Sequence, residues 1–287
     1  MIYVSSACVK EKNIANVIEK LAGKGIKNIE LSGGTDYYCG IWKDLEELKK
    51  QYHLNYACHA YFPPPPVPFV VNLASCNDKI YRQSMEHYIQ CIDMLKSVEC
   101  RVLSIHAGFL VEINTDEIGH KLSSRTVYDE DKAYDRFCTA YEHLAGLCRK
   151  NGIKFFLENN VLSAENYEEF GRHNYMMMTD YESIGKMQEQ LDFHLLLDLG
   201  HLHVSAHTLG LNYSEQCRKL KEYAKWLHIS ENNGTVDEHK PLGTDSVIMN
   251  EFKNMYRPDM DVTLESVGSI DEILASMELL NLDKYGK

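Results

Sequence analysis

Eight short apolar runs, each followed by a longer segment of helical period, limit what this chain can become more than any other feature. They predict strands at Ile2–Ser5, Asn28–Leu31, Asn55–Cys58, Val102–Ile105, Phe155–Leu157, His194–Leu197, Trp226–Ile229 and Val262–Leu264. A chain that returns through a helix re-enters its sheet in the same direction, so regular alternation predicts parallel neighbours. Eight such units are the number that closes a (β/α)8 TIM barrel.

The segments between the runs carry apolar residues three and four apart, as a helix facing a sheet requires. Ile14, Val17, Ile18 and Leu21 form one stripe ending at Gly25, and Tyr81, Met85, Tyr88, Ile89, Ile92 and Leu95 form another behind Asn77. Ala133, Phe137, Tyr141, Leu144 and Cys148 run to Asn151-Gly152, and Ile273, Leu274, Met277 and Leu280 follow Ser269. Asn and Ser suit the start of a helix and Gly its end. No linker or repeat divides residues 1–287, so one domain is expected. After the third run come Tyr61-Phe62, four prolines, Val67, Pro68 and Phe69. Proline fixes φ, so this reads as a stiff loop in which Tyr61, Phe62 and Phe69 cover a pocket.

Thirty basic against 42 acidic residues give a net charge of −12, which repels a phosphate backbone and disfavours a nucleic-acid partner. Nine cysteines, an odd number with no C-x-x-C pair, fit a reducing compartment better than a disulfide framework. The first residues lack the pattern of a leader, and no later stretch has the apolar length of a membrane span. A cytoplasmic protein without a membrane partner is the expectation.

Glu30, His59, His106, Glu158, Asp198, His228 and Glu265 all fall at or near the C-terminal end of a predicted strand. In a barrel those ends converge on one small volume, where catalytic groups sit. Four carboxylates brought together there repel one another and lose hydration unless a cation offsets both costs. Asp198-Leu-Gly-His201 and Asp237-Glu-His239 add the same donor types in the adjoining loops. Oxygen and imidazole without cysteine suit Mn²⁺, Zn²⁺, Co²⁺ or Mg²⁺. His203 and His207 are expected in the loop after His201 with surface roles, and Cys58 on the opposite side of its strand from His59.

These pieces resemble the xylose isomerase-like TIM-barrel superfamily, which holds metal-dependent sugar isomerases and epimerases together with zinc-dependent AP endonucleases. The resemblance is carried by Ile29-Glu30-Leu31, Ser104-Ile105-His106-Ala107-Gly108, Phe156-Leu157-Glu158-Asn159, Leu197-Asp198-Leu199-Gly200-His201, Leu227-His228-Ile229-Ser230, Asp237-Glu238-His239-Lys240-Pro241-Leu242-Gly243 and Thr263-Leu264-Glu265-Ser266. For the isomerase branch it implies one cation held by Glu158, Asp198, His228 and Glu265, with His201 touching substrate. There Glu158 and Glu265 would exchange a proton with a small sugar, or sugar phosphate, through an enediolate. For the endonuclease branch it implies three zinc ions, with His59, His106, His201, Asp237 and His239 as the additional ligands. Asn72-Leu73-Ala74-Ser75 also resembles that branch. Ser5-Ser6-Ala7-Cys8 lacks its histidine and paired glycines, and Val236 and Glu238 replace its arginines. The expectation is therefore a sugar isomerase or epimerase, the alternative a phosphodiesterase like the AP endonucleases.

Overall fold

A computed structural model describes residues 1–280 and shows eight parallel strands closed into a barrel in sequence order. The last seven residues of the predicted 1–287 domain lie outside the described ones. The strands are Ile2–Ser5 (β1), Asn28–Leu31 (β2), Asn55–His59 (β3), Val102–His106 (β4), Lys154–Glu158 (β5), His194–Asp198 (β6), Ala224–Ile229 (β7) and Asp261–Leu264 (β8). Strands β3 to β6 each run one residue past their predicted ends, taking in His59, His106, Glu158 and Asp198. Hydropathy stops at a polar residue, but the backbone ladder does not.

The helices are Ile14–Gly23 (α1), Ile41–Tyr52 (α2), Asp78–Leu95 (α3), Glu130–Lys150 (α4), Ala164–Glu169 (α5), Tyr181–Gln188 (α6), Leu199–Leu209 (α7), Tyr213–Leu220 (α8), Val247–Met255 (α9) and Ile270–Leu279 (α10). Asn77 caps α3 by accepting from Lys79 N, and Ser269 caps α10 in a reciprocal arrangement with Glu272. Beyond α1 the chain reverses at Gly25, whose φ of +86° favours glycine. His203 and His207 lie on α7 and not in a loop: Asp198 accepts the first-turn amide of His201 and starts a helix where a loop was expected. Among the described residues no helix is long and apolar enough to cross a membrane.

The period of two along each strand sorts the side chains into two cores. Val4, Ile29, Cys58, Ile105, Leu157, Leu197, Leu227 and Leu264 face outward into the large core beneath the helices. Cys58 Sγ lies 3.9 Å from Cys91 Sγ on α3, so its packing role matches the expectation. Tyr3, Ala57, Phe156, Leu196 and Trp226 form a separate small core inside the barrel. Two residues further along β3, β5, β6 and β7, on the same inward side, stand His59, Glu158, Asp198 and His228. The inner apolar layer is the floor on which the polar residues rest.

Candidate metal centre

Glu158 is fully buried and stands at the centre of the polar layer. Its Oε2 is 3.1 Å from His59 Nε2 and 3.2 Å from His106 Nδ1. Its Oε1 is 3.3 Å from His228 Nδ1 and 3.6 Å from His201 Nδ1. His228 Nδ1 is also 3.4 Å from Glu265 Oε2. Asp237 Oδ2, in the loop after β7, is 3.2 Å from His201 Nε2 and 2.9 Å from His239 Nε2. Among the described residues four groups have donor atoms within 4.8 Å of one another: Glu158, Asp198, His228 and Glu265; His59, His106 and Glu158; His201, Asp237 and His239; and Glu30, His59 and His228.

The imidazoles are oriented from behind. The Ser104 hydroxyl donates to the Cys58 carbonyl (3.4 Å) and so accepts from His59 Nδ1 (2.9 Å), which leaves Nε2 as the inward lone pair. His201 Nδ1 donates to the Asn159 carbonyl at 2.9 Å, turning Nε2 toward Asp237. His228 Nε2 faces Glu30 Oε1 at 3.1 Å, and the Thr263 hydroxyl donates to Glu30 Oε2 at 3.1 Å, so Nδ1 points into the centre. Holding one ring nitrogen with a protein oxygen to aim the other is how ligating histidines are fixed.

The donors also fit a cation by what they lack. Both oxygens of Glu158, Asp198 Oδ2 and His228 Nδ1 are buried without a hydrogen bond of normal geometry, although ion-pair distances surround them. Such groups are costly to bury unless something else satisfies them. Burial pushes the Asp198 carboxyl up to about 6 despite the opposing pull of His201. Burial likewise drops His106 to about 4, against the attraction of Glu158, so its imidazole is neutral at pH 7. Burial alone would lower His239, but the Asp237 carboxylate overrides it and brings the ring up to about 9.

All nine candidate ligands reach this centre, and the structure adds Glu30, Ser104 and Asn159 as groups that orient them. Glu30 was legible as a strand-end carboxylate, but its place behind His228 depends on the β1–β2 and β1–β8 pairings that bring β2 near β8. The aromatic loop departs from expectation. Tyr61 lines the cleft beside His106, with ring centroids 5.8 Å apart. Phe62 is fully buried with its ring edge-on to Trp42 at 5.7 Å, so it anchors the loop in the outer core and covers nothing. Phe69 packs against His87 on α3 and is not part of the cleft wall. The prolines hold the loop back against α2 and α3, where they line a second groove.

The cleft above the centre has a volume of about 510 Å³, with His106, His201, Asp237 and His239 at its inner end. Its size suits a small molecule.

Comparison with known proteins gives a consistent picture of the fold. The family described as xylose isomerase-like TIM barrel matches residues 18–266. An uncharacterized protein of Methanocaldococcus jannaschii is 24% identical over 244 residues, covering 85% of this chain and 81% of that protein. The crystal structure of a D-tagatose 3-epimerase-like protein superposes with a TM-score of 0.71 at 20% identity, covering 99% of this chain and 96% of the other. That of a family 2 AP endonuclease from Brucella melitensis gives 0.62 at 12% identity and 99% coverage of both chains. With the barrel closed in sequence order and a match over most of its length, the chain belongs to the xylose isomerase-like TIM barrel family.

Proposed function

We propose that this chain is a divalent-cation-dependent isomerase or epimerase of a small sugar. The observation that carries the reading is the four-donor cluster of Glu158, Asp198, His228 and Glu265, which contacts His106 and His201 of the cleft wall through Glu158. A cation held by these four residues would polarise a ketose carbonyl as a Lewis acid. Glu265, whose Oε2 lies 3.4 Å from His228 Nδ1, is ionised wherever it shares a cation with that group. An ionised carboxylate beside the carbon next to that carbonyl would accept its proton; Glu158, reaching in from β5, would return one after taking a proton from solvent, and Glu265 would give its own back to solvent, so that the cycle balances. Return to the same carbon from the other face gives epimerisation; return to its neighbour gives isomerisation. His201, oriented by the Asn159 carbonyl, supplies a fixed contact for a substrate hydroxyl. Tyr61 walls the cleft beside His106 and helps exclude water there.

The experiment is solvent exchange. Incubated in D₂O with its ketose and Mn²⁺, the enzyme places deuterium on the carbon beside the carbonyl, and Glu265→Gln abolishes this while remaining folded. Absence of exchange across a panel of ketoses and ketose phosphates would rule the reading out.

A second reading, phosphodiester hydrolysis, is favoured by one specific observation. Glu158 presents Oε2 to His59 and His106 while Oε1 faces His228, the posture of a carboxylate bridging two cation positions. A bridging carboxylate has no oxygen left to return a proton. Metal content separates the two: one ion per chain supports the sugar reading, and three with cleavage of abasic-site DNA support the hydrolase. The net charge of −12 opposes a DNA substrate.

A further inference from the structure

The cleft has two unlike ends, and the outer one carries information about what the site accepts. Away from the metal donors it is walled by Phe109, Ile113, Ile118, Leu122, Tyr175 and Met176. Ile118 is 47% exposed, an unpartnered apolar side chain at the rim. Between these residues stand polar groups that would suit an anion or a hydroxyl-rich chain, but nearly all are already engaged. Lys121 Nζ is 3.2 Å from Glu169 and 3.7 Å from Glu165. Arg125, in the same loop, is held by the Glu117 carboxylate and by the carbonyls of Glu112 and Ser123. Asn166 accepts from Leu122 N at 2.8 Å and donates to the His120 carbonyl at 3.3 Å. Asn160 spends its amide on the carbonyls of Ala107, Gly108 and Met177. The charged residues lining this end are Glu117, Lys121 and Glu165, two acids to one base; Ser163 Oγ accepts from Asn166 N at 3.4 Å, and the exposed His120 ring is the lining group left open among the described residues.

From this wall we infer that the substrate is an uncharged sugar whose end remote from the reacting carbons is apolar, a terminal methyl or an acyl group. A phosphate there would face net negative charge with both nearby cations neutralised. A terminal hydroxymethyl would face an apolar wall whose polar groups, the exposed His120 ring apart, are already engaged. A methyl or acyl group instead covers Ile113, Ile118 and Met176 and removes apolar surface from water. The inference takes the identity of the reacting end from the sugar reading, but the outer wall is independent of it.

The test measures binding apart from turnover. Calorimetry on the Mn²⁺-loaded protein uses the four D-ketohexoses, each as the parent, the 6-deoxy and the 6-phosphate form, with solvent exchange followed in parallel. For the best-bound stereoisomer, the 6-deoxy form is expected to bind at least tenfold more tightly than either of the others. Ile113→Asp should remove that advantage. Ile118→Lys, at an exposed position that tolerates change, should raise affinity for the 6-phosphate by adding an unengaged cation. Tightest binding of a 6-phosphate by the unaltered protein, a deoxy preference that survives Ile113→Asp, or no binding by any form overturns the inference. The expected binding order without deuterium exchange keeps it and rejects the isomerase reading instead.

Discussion

Asn160, two residues beyond Glu158, offers a sharp perturbation because its side chain holds the loop that follows His106. Its buried Nδ2 donates to Ala107 O at 3.0 Å, Gly108 O at 2.9 Å and Met177 O at 2.9 Å. Asn160→Asp keeps the shape and replaces the donor with an oxygen aimed at three carbonyl oxygens. Gly108 O keeps a second donor, Met177 N at 3.1 Å, so two carbonyls lose their partner. At about 1–3 kcal/mol for each buried acceptor left bare, the expected loss is about 4 kcal/mol, before any repulsion. That is a large part of the 5–15 kcal/mol that typically holds a domain together.

Urea unfolding at pH 7 measures this directly, as a lower midpoint at an unchanged slope. The new carboxyl, buried among carbonyls, can donate only when protonated, so its folded-state pKa lies above its unfolded one. The variant's deficit is therefore smallest below the unfolded carboxyl pKa and grows as pH rises through the folded value. Asn160→Leu removes the donor without adding a titrating group, and its deficit should not follow pH. A loss below about 1 kcal/mol for Asn160→Asp, or identical pH behaviour of the two variants, would refute the reasoning.

Three further outcomes are expected. Exhaustive chelation should lower the melting temperature, because a cation present at a thousandfold over its Kd stabilises the fold by about 4 kcal/mol, or roughly 8 °C for a chain of this size; an unchanged curve in verified metal-free protein would count against the centre. His87, whose pKa burial lowers to about 4, refuses a proton that the unfolded chain accepts near 6.5, so stability is lost as pH falls from 6.5 toward 4; His87→Leu should recover roughly 3 kcal/mol of that pH-dependent loss in urea unfolding. Gly108→Ala places a Cβ 2.4 Å from Ala74 Cβ and should cost at least 1–3 kcal/mol, with Ala74→Gly in the same chain restoring most of it; a neutral single variant would show that the close approach is not needed.

How much of this was legible in the sequence depends on whether local pattern or long-range contact decides a residue's place. Hydrophobic alternation located all eight strands, since a strand buried on both faces is marked by apolar runs whichever neighbours it has. The strand-end ligands followed, because their position two residues beyond another inward-facing residue is a local matter of parity. Phe62 shows where local reading stops. A Tyr-Phe-Pro sequence says the chain is stiff but not which ring turns inward. Tyr61 adopts a φ of +67°, and Phe62 is buried against Trp42 of α2, a residue 20 positions away. Glu30 marks the same boundary: its strand-end position was plain, but its role depends on a partner 198 residues distant. That contact sets the direction of His228 Nδ1, and with it the centre's fourth donor. The short-range code thus builds the floor and names the donors, while barrel closure decides which atom of each donor faces the others.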